Sequence, residues 1–376
     1  MSAAILNLDA LKHNALQSRA CMDRWQVAVL PVLKGIASHP LALRELSSAG
    51  FTRFGYAEYS EAVTGHAGND ASPPSPNQSV LIQLCPLSRT REIARNFSRS
   101  FHSQPETLCA LDQAVGETGL PHGVMLMLDL GERREGIPLA ELPLLLEHAL
   151  ALPHLTVEGF AFTMGCLGQC VPDAALLRTI TEIQEVFRNK GVSNTAVSVG
   201  GSIFCRWLED FCPSPVTEVR LGANFILGMD TYHKLPLPGG SFRSDVCLLQ
   251  SEILEIQSRD FSVDKTAALP EFNGYPVIPA PIAGKRQCAL LDVGRIHAKL
   301  EELVCPLPGA RIMNISSNYM VLDVTDCPVA PRIGQQVLFR LGYWSIARLF
   351  HSFLVPVVAV RDGSPNLAPP TCGALP

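Results

Sequence analysis

The chain has no run of about 18 consecutive apolar residues, the length a membrane-spanning helix needs. The best stretch, SFLVPVVAV, is far too short. The start, MSAAILNLDALKHN, lacks both the basic leading residues and the long apolar core of a secretion signal. Charged residues make up only 17% of the chain, the formal net charge is −5, and no basic run of useful length occurs. That excludes the electrostatic footprint by which proteins hold nucleic acid. Cys166 and Cys170 lie four apart in CLGQC, but no second pair at zinc-ligand spacing is present, so no metal site is expected. Without a secretion signal, the 12 cysteines read as free thiols in a reducing cytoplasm. No internal repeat stands out.

What is present is apolar and organised. At 376 residues and 47% hydrophobic content, the chain is too long for one ordinary core and suits two domains. The stretch around which the rest is arranged is QVAVLPVLKGIASHP, residues 26–40. An apolar run with β-branched members leads into Lys34, then Gly35, then the helical pattern LALRELSSAG. This is the pattern of a buried strand entering a βα unit, with Lys34 at the strand end. A lysine there costs free energy to bury unless its charge is compensated or its nitrogen is used covalently; otherwise it reaches out to water.

Met1 to Leu8 reads as a short strand and DALKHNALQSRACM as a helix, with Asp9 as its N-cap. Strand candidates then alternate with helical runs: VAVLPVL (27–33), RFGYA (53–57), VLIQL (80–84), TLCAL (107–111), GVMLMLDL (123–130), TVEGFAFTM (156–164), TAVSVGG (195–201) and EVRLGANFILG (218–228). Eight such units in about 230 residues is the count of a (β/α)8 barrel. After Gly228, DTYHKLPLPGGSF reads as a linker. Short alternating runs follow (CLLQSEILEIQ, YPVIPAPIAG, QCALLDVG, RIMNISSNYMVLDVT, QQVLFRLG), with one helical run, YWSIARLFHSF. That texture predicts a mainly antiparallel β domain. The expected division is a barrel over 8–230, a β domain over 231–362 joined by residues 1–7, and a disordered tail over 363–376.

Chemistry in such a barrel sits at the carboxyl ends of the strands. The polar residues there are Lys34, Tyr56, Arg133 and Arg134 in LGERREG, Thr163, Ser202 in VGGS, and Arg220 with Gly222 in VRLGA. The glycines before Ser202 offer backbone N–H groups suited to a phosphate. Singly, each of these has an ordinary structural role; their placement on one rim is what carries weight.

Together with NLDALKHN, DLGERREG, RLGANFILG, NYMVLDVT and GYWSIARLF, these residues resemble the alanine racemase fold, type III of the pyridoxal-phosphate enzymes. The nearer likeness is to the ornithine racemase branch, which reads DLGDLREG where this chain has DLGERREG; it runs from about Leu6 to Val360. The resemblance implies that pyridoxal phosphate is the cofactor and that Lys34 forms the Schiff base and moves protons on one face. Arg134 would approach the ring hydroxyl, and Arg220 the pyridine nitrogen. Ser202, Gly222, Ala223 and Tyr343 would hold the phosphate, with Tyr56 and Thr163 beside the cofactor. An arginine at the ring nitrogen cannot accept its proton, so the electron sink is shallow and suits removal and return of a single proton.

The chain also departs from alanine racemases proper. Ser38 stands where they place a tyrosine, and Thr163 replaces a histidine. Arg295 stands in the stretch of their second catalytic tyrosine, while Ser317 and Asn318 align with residues that bind the substrate carboxylate. The second acid/base is therefore open among Arg295, His297 and, more weakly, Tyr319.

The resemblance implies a racemase acting on a free amino acid, ornithine-like, otherwise basic or broadly chosen, as a homodimer with shared sites. Two alternatives are a fold III decarboxylase and a cofactor-carrying regulator without catalysis. The former resembles longer chains with extra carboxyl-terminal ligating motifs, and the latter a single barrel without a β domain.

Overall fold

The computed structural model describes residues 2–63, 75–168, 170–263, 271–272, 275–276, 284–352 and 354–364. Contacts divide the chain into two compact units, Leu11–Arg243 and Met1–Ala10 with Ser244–Pro376.

The first unit is a parallel barrel. After β1 (Ala3–Asn7), which belongs to the other unit, come β2 (Ala28–Pro31), β3 (Phe54–Tyr56), β4 (Ser79–Leu84), β5 (Arg99–His102), β6 (His122–Met127), β7 (Leu155–Thr163), β8 (Ala196–Gly200) and β9 (Glu218–Leu221). They pair in the order β2-β9-β8-β7-β6-β5-β4-β3, and a parallel bridge between Val32 and Gly55 joins the two ends. Inside, Leu30, Val80, Phe101, Met125, Met127 and Ala161 form an apolar plug. Outside, helices cover the strands: Leu176, Ile180, Ile183 and Phe187 of the helix Ala175–Asn189 recur on one face and are buried. The Phe187 ring lies 5.5 Å from that of Phe160 on β7.

The fold is the expected one, but several elements differ. TLCAL is not a strand: it lies within the helix Pro105–Thr118, and the strand at that point is β5. Pro105 is pre-set for a first helical turn, and Leu108, Leu111 and Val115 face inward at helical spacing. β5 reads RSFH, and its polar residues are all buried, so hydropathy conceals it. The run EVRLGANFILG stops as a strand at Leu221 and continues as the helix Ala223–Leu227. Asn7, not Asp9, caps the first helix, Leu8–Asp23: its Oδ1 accepts from the N–H groups of Asp9 and Ala10, both at 3.1 Å. The supposed linker is ordered. Asp230 is fully buried and accepts from the N–H groups of Tyr232 (2.9 Å) and His233 (2.7 Å), while Arg206 donates to the carbonyl of Pro236.

The second unit is a sheet of β10 (Cys247–Asp260), β13 (Lys285–Leu291), β14 (Leu303–Val304), β15 (Arg311–Ile315), β16 (Met320–Asp323) and β17 (Gln336–Leu341), ordered β14-β17-β10-β13-β16-β15, with a short β11 (Glu271–Phe272) and β12 (Tyr275–Pro276) hairpin apart from it. β1 adds to β10 antiparallel and to β18 (Val357–Val360) parallel. All other pairings in this unit are antiparallel. SFLVPVVAV thus contains an edge strand. Most of YPVIPAPIAG, and the expected tail from residue 365 onward, lie outside the described residues. Among the described residues no helix is long and apolar enough to cross a membrane, and their eleven cysteines are unpaired.

Candidate active site

Lys34 stands in a single helical turn, Lys34–Ile36, just past β2, and is the one exposed residue between Pro31 and Pro40. Beneath it, register across four adjacent strands lays out a row: Thr163 pairs with Gly200, Gly200 with Arg220, and Arg220 with Leu30. Arg220 is buried in this row. Its Nη1 donates to the carbonyl (2.8 Å) and hydroxyl (2.9 Å) of Ser198, and its Nη2 to the carbonyl of Phe162 (2.9 Å) and the hydroxyl of Thr163 (3.0 Å). The guanidinium also lies over the Phe101 ring, 5.1 Å from its centroid. Burial lowers its pKa to about 10, with Glu218 pulling the other way, so it is cationic at neutral pH. The four bonds use Nη1 and Nη2 and leave the Nε–H outside them.

Loops above the row supply further charge. In DLGERREG, Asp129 Oδ1 accepts from Gly131 N (2.9 Å) and Arg133 N (3.0 Å), which shapes the turn. Arg134 chelates the Glu135 carboxylate and donates through Nη1 to Cys166 Sγ at 2.6 Å; the Glu135 hydrogen bond raises its pKa. Glu132, only 3% exposed, reaches across to the loop after β7, where it accepts from the N–H groups of Gly165 (2.9 Å) and Leu167 and from the Cys170 thiol. Burial, and then Glu132, push that thiol up to about 11. Sequence reading passed over Glu132, Glu135, Ser198 and Glu218. The only signal was that acidic residues stood inside motifs already picked out for their basic ones.

Tyr56 requires correction. On β3, Gly55 is the residue that faces the interior, since a Cβ there would meet Leu30 and Ile82 side chains. Tyr56 therefore points outward, its ring 6.0 Å from that of Phe97 among the covering helices, and burial raises its pKa. It is not on the rim. Ser202 is buried and its hydroxyl accepts from Thr231 N at 3.2 Å. Ser38 donates to Glu61 at 2.9 Å.

In the second unit, the turn Gly294–His297 lies against the turn Ser316–Tyr319: Arg295 N donates to Ser316 O (2.8 Å) and Ile296 N to Ser317 O (3.2 Å). Ser317, Asn318 and Tyr319 are exposed there. His297 is buried. Its Nδ1 accepts from Gly294 N at 2.9 Å, and burial lowers its pKa. Arg295 Nε donates to Ile315 O at 3.0 Å, and its own carbonyl accepts from Arg348. Arg348 lies on the helix Tyr343–Phe350, which begins with Tyr343. The structure thus gathers Arg295, His297, Ser317, Asn318 and the Tyr343 helix in one region.

The Alanine racemase, N-terminal domain family matches residues 6–227, more than half of the chain. The chain belongs to the alanine racemase family. It is 24% identical over 278 residues to an ornithine racemase of Acetoanaerobium sticklandii, covering 73% of this chain and 78% of that protein. It is 21% identical over 356 residues to a lysine racemase of Thermotoga maritima, covering 94% and 97%. Among solved structures, an alanine racemase from Streptomyces coelicolor superposes with a TM-score of 0.75 at 18% identity, covering 96% of this chain and 98% of that one. A D-threonine aldolase from Filomicrobium marinum superposes at 0.70 and 15%, covering 96% and 91%.

As a member of this racemase family the protein is a pyridoxal-phosphate-dependent isomerase. Its residues fit the cofactor. An exposed lysine stands at a strand end, a buried cationic donor lies in the row beneath it, and at Gly222 the backbone passes so close to the residue after β2 that a Cβ would sit 2.1 Å from Val32 O.

Proposed function

We propose that this racemase interconverts the L and D forms of a free amino acid with a basic side chain, ornithine or lysine foremost. The names of both curated relatives support that substrate class. The observation that carries the chemistry is the fixation of Arg220, whose two Nη groups are committed to β7 and β8.

Pyridoxal phosphate, when bound, supplies the electron sink that makes the substrate α-hydrogen acidic. Lys34 anchors the cofactor and takes or returns that proton at Nζ on one face of the α-carbon. Arg220 would offer its Nε–H to the ring nitrogen without giving up its proton, a setting that would suit removal and return of a single substrate proton. Ser202, Gly222 and Ala223 hold the phosphate by hydroxyl and backbone N–H, Arg134 the ring hydroxyl, and Thr163 braces Arg220. The proposal extends to a homodimer in which one copy's Arg295, His297, Ser317, Asn318 and Tyr343 complete the barrel mouth of the other and exclude water. With Nδ1 accepting from Gly294, the neutral His297 ring carries its proton on Nε2, where it offers a hydrogen bond but has no lone pair to take the substrate's proton.

Chiral chromatography of L-ornithine, L-lysine, L-arginine and L-alanine incubated with the holoenzyme tests this. Appearance of D-ornithine or D-lysine ahead of D-alanine, with no carbon dioxide released, is the expected result. Carbon dioxide release, or no turnover of any amino acid, would overturn it.

A further inference from the structure

A barrel interior is ordinarily a stack of branched apolar side chains. Here a chain of polar side chains runs beside the apolar plug, from the start of β5 through β9 and β8 to the active-site row. Arg99, 8% exposed at the start of β5, pairs with Glu158 on β7 and, at 3.0 Å, with Glu218 on β9. The other oxygen of Glu218 accepts from the Ser198 hydroxyl at 2.6 Å, and Ser198, fully buried, accepts in turn from Arg220.

A buried ionic chain is poor evidence for stability, because desolvation offsets much of the attraction. Its direction is informative. The Ser198 hydroxyl has one proton and two lone pairs. That proton goes to Glu218 Oε1, so the lone pairs must face Arg220. Glu218 therefore decides which way Ser198 presents itself, although it lies away from the rim.

We infer that Glu218, acting through the Ser198 hydroxyl, is a positioning residue for Arg220, locking Nη1 so that the remaining Nε–H serves the cofactor's ring nitrogen. The inference rests on the proposal that Arg220 meets that nitrogen. Arg99 completes the device by pairing with Glu218 and holding it in place, and Glu158 balances the second arginine.

The test compares binding of pyridoxal phosphate with that of its analogue carrying C–H in place of the ring nitrogen, titrated into full-length apoenzyme. Wild-type protein should favour the natural cofactor by about tenfold, the worth of one hydrogen bond from a charged donor. In Glu218→Gln and Ser198→Ala that preference should fall towards one, and Ser198→Thr, which keeps a hydroxyl, should retain it. Should Glu218→Gln fail to fold, Ser198→Ala decides. A wild-type preference of tenfold that both variants keep would overturn the positioning role and leave the Arg220 proposal standing. No preference in the wild type would remove both.

Discussion

Gly200 and Arg220 oppose each other on β8 and β9, and a Cβ on Gly200 would lie 2.4 Å from Arg220 Nη2 and 2.9 Å from Thr163 Oγ1. The guanidinium occupies the space that a side chain would take. Glycine is needed here for room, not for a turn. Gly200→Ala is therefore expected to push Arg220 out of its four hydrogen bonds. Overpacking of this kind costs about 1–3 kcal/mol, and racemisation should fall well beyond what the loss of stability explains. Full activity with an unchanged cofactor absorbance would contradict the placement of Arg220 in the site.

Lys34 is expected to carry the cofactor. Borohydride treatment of the yellow holoenzyme followed by peptide mapping should mark the Lys34 peptide, and Lys34→Ala should be colourless after dialysis. A mark on another lysine would move the site away from the end of β2.

Glu132 ties the loop after β6 to the loop after β7 by accepting from two backbone N–H groups. Replacing it by glutamine leaves an acceptor but removes the charge, at a cost of about 1–3 kcal/mol for buried donors so weakened. The Cys170 thiol, which Glu132 helps hold up, should then react faster with a thiol reagent, read in a Cys166→Ser background. An unchanged rate would mean the loop is held by other contacts.

His102 and His122 share the Ser100 hydroxyl, each through Nε2 at 2.8 Å, inside the protein. Burial lowers their pKa values to about 3 and about 4, from an ordinary 6.5. Above pH 6.5 both are neutral folded or unfolded, so they add no pH dependence. Below it the unfolded chain takes up the protons first, and stability falls as pH drops from 6.5 towards 4, by up to about 1.4 kcal/mol per pH unit for each histidine. Melting curves should show this slope flatten in His102→Gln/His122→Gln. A slope equal to wild type would assign acid sensitivity to other groups.

The shared-site proposal predicts rescue between inactive subunits. Mixing Lys34→Ala with Arg295→Ala after verified subunit exchange should restore one working site per hybrid. An active monomer in sedimentation would count against it.

The local pattern of the chain determined a good deal. Apolar runs of strand length alternating with 3–4-spaced helical faces specify a barrel, because each unit must bury one face and only neighbouring units can cover it. Lys34 at a strand end, the glycines of VGGS and the RLG of β9 were legible for the same reason: a turn and the strand before it lie within a few residues of each other. Tertiary structure decided the rest. β5 was hidden because its polar residues are buried against one another and against distant partners, Arg99 to Glu218 across 119 positions. Tyr56 was misplaced because a strand's pleat sends neighbouring residues to opposite faces, and three residues of sequence do not reveal the phase. Glu132, Ser198 and Glu218 acquire their roles by closing bonds to neighbouring strands and loops, 33, 22 and 20 positions away. No motif spacing encodes such a bond. It exists only once the strands have curled into a closed sheet and brought those side chains to one axis.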